Sequence, residues 1–174
     1  MAYKRLFILV EGEDDERFIN AIAKEIFKEK YDLVMPWKYS KQKNEKINDF
    51  LISIKSMNAD YIYIADINQS PCITAKKNSI TTQLQNIAGD RIIIAIKEIE
   101  SWYLAGVTKD FCSQHRIKQF ENTDTITKEQ FNSLMPKEFN SRIDFMSEIL
   151  KHFSINKAKK KNTSFRYFLE KYDC

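Results

Sequence analysis

The sequence predicts an α/β protein with a central parallel sheet. Three observations carry this: short unbroken apolar runs recur, helical periodicities separate them, and acidic residues stand directly after three of the runs. The chain has 174 residues, 43% of them hydrophobic and 13% aromatic, enough for one substantial core.

The first run, Leu6 to Val10, stops at Glu11-Gly12 and reads as a central strand covered on both faces. From Glu13 to Lys30, apolar residues at Phe18, Ile19, Ala21, Ile22, Ile26 and Phe27 predict a helix, with acids in its first turn and lysines in its last. Leu33 to Trp37 follows as a second strand, and Pro36 marks it as an edge. Ile47, Phe50, Leu51, Ile54 and Met57 outline a second helix. Tyr61 to Ala65 is the third strand, running into Asp66-Ile67-Asn68; a helix through Ile73, Ile80, Leu84 and Ile87 then ends near Gly89. Arg91 to Ile96 forms the fourth strand and leads into a helix beginning around Glu98 to Leu104. Beyond about Thr108 the pattern is helical and polar with no comparable strand. The expected division is therefore an α/β core over 1–107, with helices on both faces of about four strands, and a C-terminal helical appendage over 108–174.

Charge and cysteine content narrow the setting. Lys and Arg number 28 against 24 Asp and Glu, a formal charge of +4, which permits a phosphate-bearing partner without establishing one. Cys72, Cys112 and Cys174 form no CxxC pair and lack histidines at zinc-finger spacing, so a reduced, cytoplasmic compartment is the natural expectation. The apolar run near the N-terminus is too short for a signal peptide or a membrane span.

In open parallel sheets, functional groups collect beyond the carboxyl ends of the strands. Glu11 follows the first strand, Asp66 and Asn68 the third, and Glu98 and Glu100 the fourth. Converging carboxylates repel one another unless a cation or shared proton compensates. Hard oxygen donors without histidine or cysteine favour Mg²⁺ or Mn²⁺, ions suited to phosphodiester hydrolysis. Glu98 and Glu100 compete for one role, and Glu100 is the preferred candidate.

The segments Leu9 to Glu16, Ala65 to Asn68 and Glu98 to Ala105 resemble the TOPRIM-like domains, in particular small bacterial members related to the overcoming-lysogenization-defect nucleases. The resemblance implies a Rossmann-like TOPRIM fold in which Glu11, Asp66 and Glu100 hold Mg²⁺, with Glu11 a general acid or base. It also implies a further acid one helical turn on, at Asp15, as a fourth acidic ligand for the metal. Asn68 departs from the family's Asp-x-Asp pattern, replacing a carboxylate by an amide that can still coordinate a hard cation. Lys76 and Lys77, and the closing segment with Lys159, Lys160, Lys161 and Arg166, are candidate phosphate contacts. The implied activity is that of a Mg²⁺-dependent nuclease acting on DNA or RNA, in defence or repair. The alternative is a catalytically weak module that binds nucleic acid or nucleotide, or partners an ATPase.

Overall fold

A computed structural model describes residues 3–172; Met1, Ala2, Asp173 and Cys174 lie outside the described residues. Four strands form one parallel sheet: β1 (Arg5–Val10), β2 (Leu33–Lys38), β3 (Asp60–Asp66) and β4 (Ile92–Ala95), in the order β2-β1-β3-β4. The register pairs Leu9 with Trp37 on one side and with Tyr63 on the other. β2 is an edge strand, as its proline requires, because Pro36 has no N–H to donate to a second neighbour.

The chain divides into two compact units, one through Ile94 and the other from Ala95. This boundary precedes the expected one at 107, because the helix after β4 packs with helices further along the chain.

In the first unit, side chains alternate across the sheet as the pleat dictates. Phe7 and Leu9 on β1, Tyr63 and Ala65 on β3 and Ile92 and Ile94 on β4 face one core. Two helices cover it: α3 (Asn44–Ser56), through Ile47, Leu51 and Ile54, and α4 (Ile73–Gln83), through Ile80. Each such buried side chain contributes about 1.5–3 kcal/mol. The helix expected to run to Ile87 stops at Gln83. Leu84 turns extended at φ −116°, yet Leu84 and Ile87 stay buried in the same core, which explains why the apolar spacing continued.

The expected first helix is α1 (Glu13–Phe18), a π turn over Ile19–Ala23, and α2 (Lys24–Phe27). Both α1 and the π turn pack along β2, with Phe18 and Ile19 fully buried. Ala21, counted in the apolar stripe, is exposed, and Ala23 is buried instead.

The second unit consists of α5 (Glu100–Ala105), α6 (Lys109–His115), α7 (Lys128–Ser133), α8 (Arg142–Lys151), α9 (Ile155–Lys161) and α10 (Thr163–Lys171). Its core is aromatic. Trp102 stacks on Phe168 at 5.5 Å and meets Phe165 edge-on at 5.2 Å. A buried polar network runs beneath: Asn162 donates to Ser101 (3.2 Å) and Thr123 (3.1 Å), and Ser164 donates to Asn162 (2.8 Å). No helix among the described residues is long and apolar enough to cross a membrane.

Candidate functional site

β1 leads to β2 on one side of it, while β3 pairs on the other, so strand order reverses between β1 and β3. That switch point is where open parallel sheets leave a crevice for ligands. Glu11 follows β1 directly and Asp66 closes β3, so two carboxylates flank it, both half-buried. Two residues on from Leu9, Glu11 continues the face that holds Tyr63. Asp66 has the parity of Ile62 and Ile64 and belongs to the opposite face.

Two tyrosines line the Glu11 side. Tyr39 and Tyr63 stack with centroids 4.4 Å apart and planes 16° from parallel. The Tyr39 hydroxyl donates to the Ile64 carbonyl at 2.9 Å, and the Tyr39 amide donates to the Val10 carbonyl at 2.9 Å, immediately before Glu11. Burial, then the neighbouring Tyr63, then the Glu11 charge hold the Tyr39 phenol well above its ordinary range. Burial likewise pushes Tyr63 up to about 12, Glu11 adding to it and the Tyr39 hydrogen bond opposing. Glu11 thus sits against a low-polarity wall.

Asp15 is 6% exposed, and its Oδ2 accepts from the Gly12 amide at 3.1 Å. This bond closes the start of α1, satisfying a backbone donor that the helix cannot satisfy itself. The other three acids of the run pair with cations: Asp14 with Arg17 (2.6 Å), and Glu13 and Glu16 with Lys38 (2.6 and 2.9 Å).

Asn68 is exposed and left-handed, at φ 49°. Asparagine tolerates that conformation better than most residues, which accounts locally for an amide here. It lines an open groove of about 690 Å³ with Ser70, Pro71, Lys76 and Ser79, at the start of α4. Lys76 and Lys77 are half-buried.

Glu98, Glu100 and the closing basic residues belong to the second unit. Glu98 accepts from the Lys128 amide at the start of α7. Glu100 is 3% exposed and ion-paired with Arg142, whose Nε donates to Asn132 at 2.7 Å and whose guanidinium lies 5.6 Å from the Phe131 centroid. Burial raises the Glu100 pKa, and a backbone hydrogen bond and Arg142 oppose that rise. Lys160 and Arg166 are exposed, Lys159 is half-buried, and the Lys161 ammonium donates to the Val107 carbonyl at 3.2 Å.

The first unit therefore holds Glu11, Asp15, Asp66 and Asn68 at or beside the carboxyl ends of β1 and β3, and the second holds Glu100. Among the described residues, no three His, Cys, Asp or Glu side chains form a group able to hold a metal ion. Compared with known proteins, the chain matches no family model, no curated sequence and no solved structure. Sequence reasoning passed over Tyr39, Tyr63 and Arg142. Tyr63 read as an ordinary strand residue, Tyr39 lay beyond the expected second strand, and nothing local to Arg142 names a partner 42 residues away.

Proposed function

We propose that the carboxyl-end crevice between β1 and β3 is the active site of a TOPRIM-like, Mg²⁺-dependent enzyme that cleaves phosphodiester bonds in nucleic acid. The observation that carries this reading is the position of Glu11 and Asp66, one at the end of each strand flanking the reversal in strand order.

The donor set suits Mg²⁺ or Mn²⁺: carboxylate and amide oxygens, with neither histidine nor cysteine. Mg²⁺ keeps several waters and is commonly held through one or two carboxylates together with substrate phosphates, so a closed cage of three protein ligands is not required. Glu11 and Asp66 would hold it, with Asn68 as a further oxygen donor. When bound, such a cation supplies Lewis-acid polarisation of a phosphoryl oxygen. Glu11, at the carboxyl end of β1, is the general acid or base, the role that the TOPRIM resemblance suggests for it. Asp15 holds the Gly12 backbone and so fixes where Glu11 leaves β1. Lys76 and Lys77 serve as phosphate contacts for this unit; Lys159, Lys160, Lys161 and Arg166 are phosphate contacts of the second unit in their own right.

The test is cleavage of plasmid, single-stranded DNA and RNA with Mg²⁺ or Mn²⁺. Wild type is expected to cleave at least one, and Glu11→Ala and Asp66→Ala to lose activity while keeping the wild-type circular dichroism spectrum. Equal cleavage by the variants overturns the assignment.

A second reading draws on Glu100, whose charge Arg142 already compensates. On that reading the chain is a binding module for nucleic acid or nucleotide, or the partner of an ATPase. Oligonucleotide binding without turnover under either metal would select it.

A further inference from the structure

The segment from Lys38 to Lys46 carries four lysines against one acid, Glu45. It begins as β2 ends, at the same carboxyl edge as Glu11. Two backbone bonds hold its start in place, from the Tyr39 amide to Val10 (2.9 Å) and from the Gln42 amide to Tyr39 (2.8 Å). The Tyr39 ring is buried against Tyr63 of β3 while its amide bonds to β1, so the loop is anchored to both strands flanking the crevice.

Its lysines divide into two kinds. Lys38 is engaged by Glu13 and Glu16. Lys41, Lys43 and Lys46 are exposed and enter no ion pair among the described residues. A hollow of about 550 Å³ opens between this loop and the start of α1, lined by Trp37, Lys38, Lys41 and Gln42 and, on the α1 side, by Glu13 and Glu16, both paired with Lys38. Lys38 foremost, and Lys41 after it, hold the Glu13 carboxyl below its usual range, so the Lys41 charge acts across the hollow.

A solvated charge run is the ordinary fate of such lysines. Here an added constraint applies. Glu11 and Asp66 repel any polyanion brought to the crevice, and a strand can approach only where nearby cations neutralise its phosphates. Trp37, which also lines the hollow, is half-buried and stacks on Phe50 at 4.3 Å, so it holds the wall of the hollow.

We propose that the segment from the end of β2 into the first turn of α3 is a docking site for a single nucleic-acid strand, with Lys41, Lys43 and Lys46 contacting successive phosphates next to the Glu11 crevice. This rests on the reading under Proposed function and deepens it by naming the side from which substrate enters.

The test is binding of a fluorescent single-stranded oligonucleotide of about 20 nucleotides, followed against salt concentration. The triple variant Lys41→Gln/Lys43→Gln/Lys46→Gln is compared with wild type and with Lys109→Gln/Lys118→Gln/Lys137→Gln, which removes equal charge elsewhere. The loop variant is expected to bind at least about tenfold more weakly at low salt, and its log–log salt dependence to flatten by about 2, near 0.7 for each lost phosphate contact. The control variant should lose much less. Equal losses in the two variants overturn the proposal, as does an equal loss by the loop variant toward a polyglutamate chain. If wild type binds and cleaves and the loop variant matches it, the entry path falls and the Glu11 site stands. If wild type neither binds nor cleaves, both fall.

Discussion

Arg142 donates a guanidinium N–H to the carboxylate of Glu100, a side chain 3% exposed on α5. A buried ion pair contributes little net stability over a well-packed apolar pair, but removing one partner strands the other charge. Arg142→Met should therefore destabilise the protein by about 3 kcal/mol, and the double variant Arg142→Met/Glu100→Gln should recover more than half of that. Arg142→Lys should not rescue, because lysine lacks the planar fork that reaches Glu100 and Asn132 together. Urea denaturation of the four proteins checks each outcome.

The same carboxylate sets a pH dependence. Burial foremost raises the Glu100 pKa above its ordinary 4.5. The folded state then binds the proton more tightly than the unfolded state, so the stability this group contributes is complete below pH 4.5 and lost as pH rises through the folded pKa. Glu100→Gln should gain stability relative to wild type across that rise. Melting temperatures from pH 4 to 8 report it, and curves that stay parallel would contradict the burial effect.

Tyr39 and Tyr63 should titrate late. Tyr63 is pushed up to about 12 and Tyr39 well above its usual range, burial being the main cause in both. Raised folded values mean that their stabilising contribution is lost as pH climbs through them, so their ionisation should accompany alkaline unfolding. Absorbance at the tyrosinate band should show a slow final phase that Tyr39→Phe reduces. Tyr39→Phe should also cost about 1–2 kcal/mol by leaving the Ile64 carbonyl without its hydroxyl donor.

Asn68 tests backbone against chemistry. At φ 49°, Asn68→Ala should cost about 1 kcal/mol, while Asn68→Gly should be close to neutral. Asn68→Asp keeps a residue that tolerates the conformation and adds a charge beside Asp66. Under the metal-site proposal it should bind Mn²⁺ more tightly in calorimetric titration than wild type does.

Asn162 caps α10 by accepting from the Phe165 amide at 2.9 Å, and the same side chain donates to Ser101 and Thr123. Asn162→Ala removes a cap and leaves several buried polar groups without their partner, an expected loss of about 2–4 kcal/mol. Unfolding midpoints of Asn162→Ala and Ser101→Ala measure it, and Ser101→Ala, which breaks the bonds to Asn162 and the Ile96 carbonyl but leaves the α10 cap, should lose less.

The strands were legible because β1, β3 and β4 are short apolar runs, and hydrophobic burial on a pleated sheet is a local pattern that sequence records directly. The same rule placed Glu11 and Asp66, since a strand's last residue also marks its carboxyl end. The lysines from Lys38 to Lys46 carry no positional signal in the sequence, and the bond from the Tyr39 amide to Val10 sets them beside β1.

Sequence by itself determined the order of strands and helices and which residues stand at strand ends, because both follow from periodicities a few residues long. Tertiary structure alone decided that Asp15 caps α1, that Tyr39 stacks on Tyr63 and that Glu100 pairs with Arg142. The last two are contacts between distant segments. Their partners are selected by which surfaces the packed helices and strands bring together, and no short-range pattern in the chain encodes that choice.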